Sequence, residues 1–164
     1  MRHRALLAVT VFSFGSVGLA LVLQHGFDIQ PCAWCTLQRL IYLAIGLAAL
    51  GAWLTRIRAA ERLLVLLGIA LSVSGMAAAL YQQFVAAKSQ SCVQSLADRI
   101  IKTPRLDEIA PWLFKATAFC DEANVPLLGV PFAFWSVALF AVLLALLMSS
   151  LLRSRRHDRY RSLL

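Results

Sequence analysis

Four long runs of uncharged, mostly apolar residues constrain this chain more than any other feature. They extend over Ala5–Leu23, Leu40–Leu54, Leu63–Val85 and Val125–Leu152. A helix that crosses the hydrocarbon core of a bilayer needs roughly 20 mostly apolar residues. Three runs reach that length, and the second reaches it if its helix starts near Cys35 and includes Arg39. The chain is also 60% hydrophobic, above the roughly 45–50% of soluble proteins. The sequence therefore predicts an all-α membrane protein, a bundle of four transmembrane helices.

The boundaries of these runs divide a single membrane domain, 1–164, into spans and loops. We predict spans at roughly 5–24, 37–54, 63–85 and 130–152, external loops at roughly 25–36 and 86–129, and a basic tail at 153–164. The first run resembles a secretory signal, with Arg2 and Arg4 ahead of it. Its apolar stretch is longer than the roughly 7–15 residues of a signal peptide, so we expect an uncleaved first helix.

The net charge of +8 is distributed unevenly along the chain. Basic residues are concentrated at both termini and in the link 55–62, whereas segment 86–124 is neutral and segment 24–38 carries only Asp28. Cytoplasmic loops of membrane proteins carry the excess of Lys and Arg. We therefore predict cytoplasmic termini and two periplasmic loops in a multi-pass protein of the bacterial inner membrane. The basic charge is explained by topology, and we expect no nucleic-acid partner.

All four cysteines, Cys32, Cys35, Cys92 and Cys120, fall in the predicted periplasmic loops. Disulfides persist in that oxidising compartment. Four cysteines allow three pairings, and their order along the chain favours Cys32–Cys35 with Cys92–Cys120. A C-x-x-C ring is small and readily reduced, which favours redox exchange. A structural staple and a zinc site are the alternatives for the first pair. A structural disulfide is the alternative for the second.

Arg39 is the only charged residue placed at the lipid boundary of the second span. If that helix starts near Cys35, the two residues are four positions apart and share a face. The helix N-terminus and the guanidinium would then stabilise a Cys35 thiolate. An arginine that extends to the outer headgroups is the alternative. A thiolate beside an arginine at this boundary suggests a lipid-soluble electron acceptor such as a quinone, since Arg39 could stabilise its reduced carbonyl oxygen.

These motifs together resemble the DsbB family, disulfide bond formation protein B of the bacterial inner membrane. The resemblance covers nearly the whole chain and includes Gln24-His25, Pro31-Cys-Ala-Trp-Cys35, Arg39, the spaced second cysteine pair, Gly129 and Trp135. It implies a quinone-dependent oxidoreductase that generates protein disulfides, with a periplasmic DsbA-like thiol oxidase as its partner.

The resemblance also implies individual roles. The four cysteines would be catalytic, with Cys92 forming the mixed disulfide and Cys120 pairing transiently with Cys32. Cys35 would face ubiquinone or menaquinone and Arg39 would orient it, with no metal. The chain departs from the family near the end of the third span, where members can carry a histidine and this chain has Gln82 and Gln83. His25 is the remaining titratable candidate at the cofactor site.

Three other functions fit parts of the sequence. One is a DsbB relative that serves a dedicated partner. Another is a vitamin-K-epoxide-reductase-like enzyme, although such proteins usually carry the C-x-x-C late in the chain. The third is a non-catalytic membrane subunit with two structural disulfides.

In the second external loop, Ser95 to Asp98 resembles a capping box that would begin a short helix. Ile109–Lys115 would form either an interfacial helix or a loop folded over the bundle.

Overall fold

The computed structural model describes residues 2–88, 95–120, 126–127 and 129–161, with side chains in these ranges except at 2, 126–127 and 154–161. In chain order, its helices are α1 Arg2–Gly26, α2 Ala33–Leu54, α3 Arg58–Tyr81, α4 Leu96–Lys102, α5 Leu106–Ile109, α6 Pro111–Phe114 and α7 Phe132–Arg161. One π-helical turn, Gln82–Ala86, continues α3. Two short strands, β1 Pro126–Leu127 and β2 Val130–Pro131, pair antiparallel before α7.

The four long helices form the bundle. Helices α1 and α3 each pack against both α2 and α7. Within the described residues, four stretches are long and apolar enough to cross a membrane: His3–Gly26, Ala33–Leu54, Arg58–Ala86 and Phe132–Arg153. The predicted fold class, a helical membrane protein with four spans, is confirmed. The side of the membrane on which the termini lie stays a prediction.

Helix α2 begins at Ala33, two residues before the start near Cys35 that the sequence indicates. The reason is a local cap, since the Cys32 sulfur accepts the backbone N–H of Cys35 at 3.4 Å. The Thr36 hydroxyl also donates to the Ala33 carbonyl at 2.8 Å in the first turn. Cys35 and Arg39 therefore both lie within regular helix, one turn apart on the same face.

The described part of the predicted second external loop, 86–129, folds onto the end of the bundle. Ser95 caps α4 by accepting the N–H of Asp98 at 3.3 Å, as the sequence predicts. Farther along, Leu113 and Phe114 are buried, whereas Trp112 is exposed. Part of Ile109–Lys115 thus covers the bundle, and contact of its exposed side chains with lipid headgroups stays a prediction.

Helices α3 and α7 are in close contact at Gly75. A Cβ atom at this position would collide with the ring of Phe140. That ring is fully buried and stacks on Tyr42, with ring centroids 4.2 Å apart and planes 5° apart. The ring is therefore held between two helices and has little room to move.

We expect Gly75→Ala to destabilise the bundle by about 1–3 kcal/mol, since overpacking a filled core forces side chains and backbone to shift. The measurement is the midpoint of thermal unfolding in detergent. Gly18→Ala is the matched control, because no atom lies within 4 Å of its added Cβ. Equal midpoints for the two variants would contradict the close packing of α3 on α7.

Candidate active site

Three cysteine sulfurs lie in contact at one end of the bundle. The sulfurs of Cys32 and Cys35 are 3.0 Å apart, and the Cys32 thiol is hydrogen-bonded to Cys120. Cys32 and Cys120 are fully buried, whereas Cys35 is partly exposed. Cys32 is thus the central sulfur, with Cys35 on one side and Cys120 on the other. Cys92 lies outside the described residues.

Hydrogen bonds to the backbone between the two predicted external loops, 25–36 and 86–129, bring Cys120 to Cys32. The Pro31 carbonyl accepts the N–H groups of Thr117 at 3.1 Å and Ala118 at 3.3 Å. The Thr117 hydroxyl donates to the Gln30 side-chain oxygen at 2.8 Å. These bonds join residues that immediately precede Cys32 to residues that closely precede Cys120. They fix the two cysteines beside each other although the chain separates them widely.

The surroundings of Cys32 keep its thiol protonated. Its hydrogen bond with Cys120 is the largest cause that raises the pKa of Cys32, to about 12, and burial adds to this, although hydrogen bonding with Cys35 acts in the opposite direction. A cysteine attacks as its thiolate. Near neutral pH, Cys32 is therefore a weak nucleophile in this arrangement.

Cys35 opens into a cavity of about 180 Å³ between α1, α2 and α7. Its polar lining includes Cys35, Gln38, Arg39 and Tyr42, and the rest of the wall is mostly apolar. Leu19 and Trp135 line the cavity and are also exposed on the bundle surface. The cavity is therefore open at the surface of the bundle, beside Leu19 on α1 and Trp135 on α7.

Arg39 is fixed in the cavity wall by three acceptors. It is only 6% exposed and donates to the side-chain oxygen of Gln24 at 2.6 Å. It also donates to the carbonyl of Leu113 at 3.1 Å and to that of Ala20 at 3.5 Å. The guanidinium is thus held inside the protein, and it does not extend to the exterior as the alternative interpretation expects.

Two buried glutamines complete the surroundings of Cys35. The Gln82 amide nitrogen donates to the Cys35 sulfur at 3.3 Å. The Gln38 amide nitrogen donates to the Gln82 side-chain oxygen at 2.6 Å. A chain of hydrogen bonds therefore runs from α2 through the π-helical turn and back to the sulfur on α2.

Comparison with known proteins gives a family for this arrangement. The sequence model of the family described as "Disulfide bond formation protein DsbB" matches residues 2–149. The chain belongs to the DsbB family. Three relatives named Disulfide bond formation protein B are similar over most of both chains. The relative from Cupriavidus metallidurans is 28% identical over 154 residues, which cover 93% of this chain and 94% of the relative. The relative from Ralstonia nicotianae is 30% identical over 152 residues, which cover 92% of this chain and 94% of the relative. The relative from Methylobacillus flagellatus is 32% identical over 145 residues, which cover 82% of this chain and 87% of the relative.

Membership of the DsbB family confirms the resemblance drawn from the sequence. With four apolar helices, it makes this chain a multi-pass bacterial membrane protein of disulfide bond formation, and thus a disulfide-forming oxidoreductase.

The structure brings together most, but not all, of the predicted site residues of this DsbB family member. Cys32, Cys35 and Cys120 are in one cluster, and Arg39 lines the cavity beside Cys35. His25 is exposed near the end of α1 and is not among the residues that line the cavity. Its role at the cofactor site stays a prediction.

From the sequence, no site role was predicted for Gln24 or Gln38, whereas Gln82 and Gln83 stood together in the place of the family's histidine. Gln38 carried a usable signal, since it follows Cys35 by three positions and such residues share a helix face. Gln24 stood only among the motifs of the DsbB resemblance, and its contact with Arg39 depends on how α1 packs against α2. Gln82 could not be separated from its neighbour Gln83 without the packing of α3 against α2.

Proposed function

We propose that this DsbB family protein reoxidises a periplasmic DsbA-like thiol oxidase and passes the electrons to ubiquinone or menaquinone. The observation that carries the proposal is the order of the reactive groups. Cys120 contacts Cys32, Cys32 contacts Cys35, and Cys35 lines a cavity with Arg39. Together with the charge distribution, this supports placing the cysteines on the periplasmic side of the inner membrane.

The proposed reaction is a series of balanced two-electron exchanges. The dithiol of the partner reduces a Cys92–Cys120 disulfide and leaves as a disulfide. The resulting dithiol reduces the Cys32–Cys35 disulfide through a mixed bond between Cys120 and Cys32. Cys32 and Cys35 then lose two electrons and two protons as their bond re-forms. Cys35 and Arg39 would hold a quinone in the cavity, and that group would supply the oxidising power by accepting those two electrons and two protons.

The cavity fits the ring of a quinone. At about 180 Å³, it is smaller than the roughly 300–1,000 Å³ of pockets for drug-sized ligands. That size suits a ring and not a whole isoprenoid lipid. Because Leu19 and Trp135 are exposed at its mouth, a hydrocarbon tail could leave directly into the bilayer. The fixed charge of Arg39 suits an oxygen that gains negative charge.

We expect purified protein, given a reduced DsbA-like protein and ubiquinone or menaquinone, to consume partner dithiol and quinone in a ratio of one to one. The measurements are quinone absorbance and thiol titration of the same samples. Oxidation of thiols without matching loss of quinone would contradict the proposal. Turnover with only one particular thiol protein would assign a dedicated partner.

Alkylation trapping in cells separates this enzyme from a non-catalytic subunit with two structural disulfides. Depletion of quinone should accumulate the reduced forms of Cys32 and Cys35 if these residues pass electrons onward. Structural disulfides would instead stay oxidised whether or not quinone is present.

A further inference from the structure

We propose that Gln82 is a catalytic residue, whose amide stabilises the thiolate of Cys35, and that Gln38 is the positioning residue that orients this amide. The inference rests on the proposed function, to which it adds the group that directly contacts the reacting sulfur. The observation that carries it is the continuous set of contacts from Gln38 through Gln82 to the Cys35 sulfur.

Helix α3 carries Gln82 to this position, since the Gln82 N–H still bonds to the carbonyl of Ala78, and a π-helical turn begins at this residue. Such turns occur mostly as single insertions in α-helices and frequently at functional sites. Here the turn ends the third span, and Gln82 and Ala86 are its buried residues. Gln82 is 1% exposed, so its amide is satisfied within the protein. A buried amide in an apolar bundle is costly unless its groups are hydrogen-bonded.

The contact with Gln38 determines which end of the Gln82 amide faces the sulfur. A glutamine side chain can present either its oxygen or its nitrogen to a neighbour. Gln38 donates to the Gln82 oxygen, so the oxygen is engaged and the nitrogen, a donor, faces Cys35. Gln38 is itself only 4% exposed and is held in α2 three residues after Cys35. The orientation of the amide is therefore set by the same helix that carries the reactive cysteine.

A fixed donor favours the charged form of the sulfur. Hydrogen bonds to an ionised acceptor are roughly twice as strong as those between neutral groups, and a bond to the charged form lowers the pKa of an acid. Because glutamine does not titrate, this donor is present at every pH at which the bundle is folded. Gln82 thus does what a protonated histidine would do, but without a pH dependence of its own.

Other ionisable groups also face Cys35. In the described part of the chain they are Cys32, in contact with its sulfur; Cys120, behind Cys32; Arg39, close enough for electrostatic interaction; and Tyr42, which lines the same cavity. A test must leave these four in place, and substitutions at Gln82 and Gln38 do so.

The test is the pH dependence of Cys35 alkylation in fully reduced, full-length protein, without quinone or partner. Iodoacetamide is the probe, and peptide mass spectrometry reports Cys35 separately from the other cysteines. We expect Gln82→Leu to move the midpoint of Cys35 alkylation upward by about one pH unit, a roughly tenfold loss of thiolate at a given pH. Gln82→Glu keeps the shape but replaces the donor with an acceptor, so it should move the midpoint upward at least as far. Gln38→Leu should give a smaller shift in the same direction.

Gln83→Leu is the matched control, because it makes the same change in the same π-helical turn. We expect its midpoint to equal that of the unaltered protein. Unchanged midpoints in Gln82→Leu and Gln82→Glu, or an equal shift in Gln83→Leu, would overturn the assignment. If Gln82→Leu does not fold, Gln82→Glu and Gln38→Leu decide the question. Failure of the unaltered protein to reduce quinone would overturn the proposed function, whereas this assay contains no quinone and reports on the Gln82 contact alone.

Discussion

The Cys35→Ser variant is expected to lose quinone reduction by at least about 10⁴-fold, because removal of a reacting nucleophile typically costs that much or more. Cys35 is the cysteine that lines the cavity, and a serine oxygen cannot form the disulfide through which electrons leave. The measurement is the rate of quinone absorbance loss with reduced DsbA-like protein as the electron donor. A rate above one tenth of that of the unaltered protein would contradict the assignment of Cys35.

The same variant should accumulate reduced Cys92 and Cys120 when it is exposed to excess reduced partner with quinone present and is then trapped by acid. Without Cys35 there is no Cys32–Cys35 disulfide to accept the electrons of the Cys92–Cys120 dithiol, so they stop at that pair. Non-reducing peptide mapping checks this result. Ser74→Ala, an exposed change on α3, is the control for handling and should show neither effect.

Arg39→Met is expected to lower kcat/KM for quinone by about 10²–10³-fold, the usual cost of removing one group that stabilises developing negative charge. The change also leaves the oxygens of Gln24 and Leu113 without their buried donor, which adds a stability cost of about 1–3 kcal/mol for each unsatisfied group. The measurements are steady-state quinone kinetics and thermal unfolding of the same preparation.

Arg39→Lys separates the charge from the geometry. Lysine keeps the positive charge but lacks the planar set of donors that reaches three acceptors at once. We expect kcat/KM for quinone in Arg39→Lys to lie between the values of the unaltered protein and Arg39→Met. Arg99→Met is the matched control, since Arg99 is exposed on α4, and its quinone kinetics should not change. Equal kcat/KM for Arg39→Met and Arg99→Met would remove Arg39 from the site.

The local parts of the site were predictable from the sequence. Cys35 and Arg39 are four positions apart, which a helix converts directly into a shared face, and both lie in α2, with Cys32 as its N-cap. The four spans were predictable from the lengths of the uncharged apolar runs, because a helix must be long enough to cross the hydrocarbon core of the bilayer. The helix start near Cys35 was placed two residues too late because apolarity marks where lipid begins, whereas the helix begins at the Cys32 cap.

The long-range parts were not predictable in the same way. Thr117 and Pro31 are common loop residues, and nothing in their spacing indicates that the amide of one meets the carbonyl of the other. Gln82 faces Cys35 because the end of α3 packs beside α2. Such contacts depend on how distant segments pack, and a pattern within one segment carries no information about them.

The contact between Arg39 and the Leu113 carbonyl couples α6 to the wall of the cavity. Leu113 belongs to α6, and Arg39 belongs to the spanning helix α2. If α6 moved away from the bundle, one guanidinium N–H would lose its acceptor in a region of low dielectric, where an unpaired donor is expensive. The guanidinium would then favour any other oxygen acceptor that came within its reach.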